Sequence, residues 1–244
     1  MIKGSGELIE QFKAESGRAG AVVYEAENYK DANDYVLKVA QEHDVKHVVK
    51  SKSMLAEEIK LREYLENNGI DVKEANIGEW IARLVGKSPA NVTQPVMHRT
   101  IEQVTELLSK VTGENLEADP RVLVNAARRT LRQFCIDADM GISEADIAIA
   151  ETGTLITTSN EGDDRLVAIL PSIHVTMAYS RNLASTLEEA IIRLKSLNEN
   201  EVNRKMPRYI TYITGRNTTG DIPGALMARA QGPEEEYVIL VDKS

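Results

Sequence analysis

Between Ala145 and Met177 the chain reads ADIAIAETGTLITTSNEGDDRLVAILPSIHVTM, and polar groups stand at the ends of its apolar runs. Glu151-Thr152-Gly153-Thr154 closes one run, in which Ile147 and Ile149 alternate with Ala148 and Ala150. A carboxylate at the rim of a low-dielectric sheet can have a raised pKa, which suits a general base or a nucleophile. Gly153 would let the backbone turn and a ligand approach closely. A plain turn between strands, with Glu151 solvated, explains the same residues. His174 follows Pro171 and Ser172. In an extended segment it shares a face with Thr176, opposite Ile173, Val175 and Met177. It is a candidate general acid or base near neutral pH, or else a satisfied core histidine. Glu151 and His174 are therefore the catalytic candidates.

Other stretches are candidates for ligand contact. Lys50-Ser51-Lys52-Ser53 lies where an expected strand hands over to an expected helix. Free N–H groups there attract anions, and two lysines and two hydroxyls would reinforce the effect; an ordinary N-cap is the alternative. Thr152, Gly153 and Thr154 join this set. In Asn160-Glu161-Gly162-Asp163-Asp164, turn chemistry accounts for every residue, and Asn160 alone is kept as a ligand contact. Thr214 to Asp221 follows an expected strand and offers Gly215, Arg216, Thr219 and Asp221 as a cradle for carboxylate or phosphate. It lacks the spacing and the lysine of a P-loop. No metal site is expected: His43 and His47 straddle a helix–strand break, and no Cys pair exists. The sole cysteine, Cys135, sits in a helical pattern and reads as a small core residue.

The elements that must position these groups follow from periodicity. Short apolar runs at Ala21–Tyr24, His47–Val49 and Ile70–Glu74 alternate with helical patterns at Asp31–His43 and Ser53–Asn68. That order, β-α-β-α-β, predicts a parallel sheet with right-handed crossovers. Helices are expected at Gly78–Val85, Thr100–Val111 and Arg121–Met140, with Lys87–His98 irregular because of its prolines. Strands are expected at Leu155–Thr158, Leu166–Leu170, Tyr209–Thr214 and Tyr237–Val241, and a last helix at Ser185–Leu197. The reading is an α/β protein: an open, mainly parallel sheet with helices on both sides. It forms one domain over 1–244, with a helical lead-in over 1–20 and a helical section over 78–140.

Bulk properties narrow the function. The 244 residues are 42% hydrophobic and carry a formal net charge of −9. Such a surface disfavours nucleic acid and gives no attraction to an anionic membrane. No apolar run is long enough to span a bilayer, and MIKGSGELIEQFK has no apolar signal core, so a cytoplasmic protein is expected.

Several separated motifs occur together: VVKSKSMLAEEIKLREYLENNGIDVKEANIGEWI, QPVMHRT, the ADIAIAETG to SIHV stretch, and YITGRNTTGDI followed by Gly232-Pro233. With these the chain resembles the LUD (lactate utilisation) domain family from about Ala21 onward. The resemblance implies a fold like that of the ribose-phosphate isomerase and CoA-transferase group. It also implies oxidation of L-lactate to pyruvate with partner subunits, and a common cleft lined by Lys50 to Ser53, Glu151 to Thr154, Asn160, His174 and Gly215 to Asp221. Longer members of the family carry a cysteine-rich iron–sulfur region after this domain, and no such cysteines occur here. The cofactor expectation is therefore none in this chain, with any iron–sulfur cluster in a partner protein. The expected ligand is a small carboxylate or a phosphorylated compound, and self-association is left open. Two other readings stand beside this one: a non-catalytic assembly or regulatory subunit, and a CoA-transferase- or sugar-phosphate-isomerase-like enzyme using Glu151.

Overall fold

In the computed structural model, residues 5–86, 99–199, 207–222, 225–228 and 230–242 are described. The expected irregular stretch Lys87–His98 lies outside them. The first half alternates as its periodicity predicts. Helix α1 (Ser5–Arg18) leads into β1 (Ala21–Ala26), α2 (Tyr29–Glu42), β2 (His47–Lys50), α3 (Met54–Glu58), α4 (Leu61–Asn67) and β3 (Asp71–Glu74). Helix α2 starts where Asn28 accepts a hydrogen bond from the Asp31 N–H, and it buries Ala32, Val36, Val39 and Ala40 at helical spacing.

The expected continuous helix Ser53–Asn68 is broken. Lys60 adopts φ +54, and α3 and α4 meet there. The carbonyl of Ile59, freed by the break, accepts a hydrogen bond of 2.7 Å from the Asn33 side chain of α2. A buried partner thus offsets a kink that local propensity does not favour.

Three helices follow: α5 (Ile77–Leu84), α6 (Ile101–Thr112) and α7 (Pro120–Asp137). Helix α6 carries a reciprocal capping box between Thr100 and Gln103, and Asp119 caps α7 with Pro120 at its first turn. The chain then builds β4 (Met140–Glu144), β5 (Ile147–Ile149), β6 (Thr154–Ser159), α8 (Asp163–Ile169), β7 (Ile173–Tyr179), β8 (Leu183–Ala184), α9 (Leu187–Glu199), β9 (Tyr209–Ile213), β10 (Thr218–Ile222), β11 (Ala225–Ala228) and β12 (Glu235–Val241).

The main sheet has six strands, all parallel, in the order β1-β12-β7-β4-β2-β3. Strands β8-β5-β6-β9 form a second sheet, and β10 pairs with β11. One face of the main sheet packs on α2, α3 and α4 through Val36, Leu55, Leu65, Ile142 and Val175. The other face meets α7 and α8 through Val49, Cys135 and Val167, and α1 through Phe12, Ala178 and Leu240.

Two expectations are corrected here. Arg121–Met140 is not helical to its end: α7 stops at Asp137 and Met140 starts β4, a strand inside the sheet. Leu166–Leu170 is not a strand but lies in and just after α8. A short apolar run fits either period, and the tertiary setting decides. Helix α8 lies so close on β4 that a Cβ at Gly141 would stand 2.0 Å from the Val167 carbonyl oxygen. Glycine at that position is what allows the contact.

Candidate functional site

The crossovers leaving β2 and β4 depart to opposite faces. Helices α3 and α4 cover the face that carries Val48, while α8 covers the face that carries Val49. Such a divergence opens a crevice at the carboxyl ends of the two strands, where α/β sheets place ligands. A cavity of about 300 Å³ occupies it. Lys52 reaches it from just beyond β2, Asn76 from beyond β3, and Glu144 from the end of β4. Asp146, Thr158, Ser159 and Asn160 line it from the second sheet, and Glu161, Asp163 and Asp164 from the entry to α8.

Five carboxylates and one lysine share this space. Burial, with Asp163 adding to it, pushes the Asp164 carboxyl up to about 7; the Ser51 hydroxyl opposes the shift. Burial also raises Glu144, against the hydrogen bonds it accepts. With Asp164 near neutrality and the Lys52 ammonium in the same cavity, the site has the groups to take a proton from a hydroxyl and hold a carboxylate at the same time. Among the described residues, no cluster of His, Cys, Asp and Glu has the arrangement of a metal site.

The expected anion site at the start of α3 is already filled by the chain itself. Glu144 Oε2 accepts hydrogen bonds from the Ser53 hydroxyl at 2.8 Å and the Leu55 N–H at 3.0 Å, while the Ser53 oxygen accepts from the Ala56 N–H. Ser51 is buried beside Asp164. Lys50 faces elsewhere. Its side chain is 1% exposed, and its Nζ stands 3.1 Å from Glu74, 3.3 Å from Glu79 and 3.5 Å from Glu57. Arg62 and Arg83 complete this cluster. Burial lowers the Lys50 pKa, and the three glutamates raise it by more, so the ammonium persists. Burial pushes Glu79 up to about 7, whereas Lys50 and Arg62 outweigh burial at Glu74 and hold it down.

Glu151 stands at the far end of the second sheet. It lies in the turn between β5 and β6, exposed, whereas Asn160 follows β6 at its other end. Five residue steps along β6 separate the two ends by about 17 Å. At the Glu151 end Thr152 donates to Thr154, and Thr154 bonds Thr214, each at 2.8 Å. Ser16 of α1 donates to the Gly153 carbonyl. Gly215 packs so tightly that a Cβ would stand 2.0 Å from the Ala19 carbonyl oxygen, and φ is positive at both glycines. Arg216 lies over Gly20 and lines a separate cavity of about 360 Å³ with Thr214, Asn217 and Gly232. Thr219 lies in β10, as does the backbone of Asp221, whose side chain is outside the described residues. The expectation of one shared cleft is thus corrected. Lys52 and Asn160 meet in the acidic cavity. Glu151 to Thr154 gather with Thr214, Gly215 and Arg216 around the end of α1.

His174 lies in the middle of the main sheet with no exposure. Its Nε2 is 2.9 Å from the Ser143 hydroxyl and its Nδ1 is 2.8 Å from Glu236. Thr176 donates to the other Glu236 oxygen at 3.0 Å. The order serine, histidine, carboxylate is the one that activates a nucleophilic serine. Ser143 has no exposure and Glu236 has 1%, and none of the three lines the acidic cavity. Their geometry satisfies buried polar groups across β4, β7 and β12.

Sequence reasoning missed Glu144 and Asp146 and set aside Asp163 and Asp164 as turn residues. The readable signal was Glu144-Ala145-Asp146 falling between two buried runs, where solvated carboxylates need an opening.

Comparisons with known proteins bear on this arrangement. The model of the LUD domain matches residues 9–241. The chain belongs to the LUD domain family. It is 35% identical over 233 residues to Lactate utilization protein B of Geobacillus thermodenitrificans, covering 95% of this chain and 47% of that protein. The protein of the same name from Bacillus subtilis is 32% identical over 226 residues, covering 92% of this chain and 46% of that one. The chain therefore spans about half the length of these curated relatives. A crystal structure of a DUF162 family protein from Deinococcus radiodurans superposes with a TM-score of 0.55 at 14% identity, covering 98% of this chain and 99% of that one. That likeness concerns the fold. Among the described residues, no helix is long and apolar enough to cross a membrane.

Proposed function

We propose that this LUD domain serves lactate utilisation by holding a small hydroxy acid in the cavity between β2 and β4. The supporting observation is that Lys52 and Asp164 line one crevice at the strand ends. The ligand's carboxylate pairs with Lys52 and with the Asn160 amide, and its hydroxyl donates to Asp164. Asp164, titrating near 7, is matched to accept that proton at neutral pH.

Oxidation of lactate to pyruvate breaks the O–H and C–H bonds at one carbon and forms the carbonyl. Two protons and two electrons leave. Asp164 takes the first proton and water the second. The electrons require an acceptor outside this chain, and the resemblance implies an iron–sulfur partner. This chain's own residues do not fit a cluster: Cys135 is alone, is buried among Val49, Ala75 and Val167, and has its thiol pushed up to about 12 by that burial.

Calorimetric titration and thermal melting with L-lactate, pyruvate and propionate test the reading. A ligand at a hundred times its Kd adds about 2.7 kcal/mol. L-lactate should bind more tightly than propionate, and Asp164→Asn should remove the difference. No response to any small acid, or responses unchanged by Asp164→Asn and Lys52→Met, would overturn it.

A further inference from the structure

Helices α5, α6 and α7 pack through a small core of their own that includes Trp80, Leu108, Leu123 and Leu131. Among the described residues that core does not close. An apolar hollow of about 630 Å³ opens between the three helices, walled by Ile77, Ile81, Val104, Leu108, Leu123 and Ala127. Its volume is about twice that of the acidic cavity and falls in the usual range for ligand sites of roughly 300–1,000 Å³.

The polar groups on its walls are few: Arg99, Arg128 and Glu161. Both arginines are exposed, and among the described residues neither has a salt-bridge partner. Burial pushes the Glu161 carboxyl up and nearby Arg128 draws it down, while Arg99 has no paired acid among the described residues. Two exposed guanidiniums against one carboxylate beside an aliphatic hollow favour an anion with an apolar body. Among the described residues the lining contains no aromatic ring. Trp80 and Phe134 instead pack edge to face on each other, with centroids 6.0 Å apart. A flexible aliphatic chain therefore suits the walls better than a flat ring.

We propose that this hollow is a second binding site, which takes the tail of a free, monomeric, anionic amphiphile and holds its carboxylate or phosphate head at Arg99 and Arg128. Glu161 lines both this hollow and the acidic cavity, so the head group stands one side chain away from the hydroxy-acid site. The site does not depend on what fills the acidic cavity.

Decanoate is the probe, titrated by calorimetry into the full chain below its micellar concentration. Decanol (tail without charge), butyrate (charge without tail) and anionic phospholipid vesicles are the comparators. Decanoate should bind one to one, with decanol and butyrate at least about tenfold weaker, the loss expected when a charge-assisted hydrogen bond or several buried methylenes are missing. Val104→Trp, which fills the hollow from a half-buried position, should abolish binding. The double variant Arg99→Ala, Arg128→Ala alters only exposed side chains and should weaken decanoate to the level of decanol, so it decides the matter if Val104→Trp does not fold. No binding of decanoate, equal binding of decanol, binding untouched by the arginine variant, or association with vesicles alone would each overturn the proposal. A hollow already covered by protein gives the first of these results.

Discussion

Lys50 and Lys52 stand two residues apart, and their surroundings are opposite. Lys50 is sealed among Glu57, Glu74 and Glu79, with Arg62 and Arg83 closing the ring. Lys52 lies in an open cavity with five carboxylates that it does not balance. The first cluster has its charges matched and water excluded, and its task is to hold β2, β3, α3 and α5 together. In the second, burial with few cations to oppose it pushes Glu144, Glu161 and Asp164 toward their neutral forms, with space left between the side chains. A closed ion network and an open acidic crevice can be built from the same residue types. Compensation of charge and access together separate the two: Glu79 is also pushed up to about 7 but is closed in with Lys50, and only the open cavity can offer such a group to a ligand.

The strongest way to break this comparison is to remove the sealed cation. Lys50→Met leaves Glu79 without a cation and takes one of the cations from Glu57 and Glu74, which keep Arg83 and Arg62, and urea unfolding should show a loss of about 3–5 kcal/mol. A loss below about 1 kcal/mol would mean that the cluster is hydrated and resembles the cavity after all.

The cavity should instead reveal itself through pH. The Asp164 carboxyl titrates near 7 in the folded chain, against 3.8 for an unperturbed aspartate. The folded state therefore binds this proton more tightly than the unfolded state between about pH 4 and 7, and stability falls as pH rises through that window. Glu79 contributes with the same sign. Asp164→Asn should gain about 2 kcal/mol relative to the parent between pH 5 and pH 8, below the full linkage value because the cavity is open to water. Equal differences at both pH values would show that the carboxyl is not held up.

The smallest expected effect on stability is at Lys52. Lys52→Met should change the unfolding free energy by no more than about 0.5 kcal/mol, as for an exposed side chain. The same variant should lose L-lactate binding. A large stability loss would place Lys52 with Lys50, as a structural cation.

Much of the fold was legible because its signals are local. Asn28, Ser53, Thr100 and Asp119 each cap a helix through contacts within a few residues. The β-α-β-α-β order of the first half appears as alternating periods. Leu166 to Leu170 misled because a five-residue apolar run satisfies two periods, and only packing on Gly141 selects the helix. Met140–Glu144 was hidden at the end of a helical pattern, although it pairs with both β2 and β7. In the candidate site, Lys52 and Asn160 were legible as polar residues ending buried strands. Glu151 had the same local signature and went to the other end of the second sheet.

Composition and periodicity alone determined an acidic α/β chain with a parallel sheet, one lone core cysteine, and polar residues at the ends of its strands. These depend on short-range spacing and on what each side chain costs to bury. Tertiary structure alone decided which strand ends share a crevice, because that depends on the faces to which distant crossovers depart. It also decided that His174 faces Glu236 across 62 residues of chain and that Lys50 is sealed while Lys52 is open. Pairing of distant charges is a property of the packed sheet, and no local window contains it.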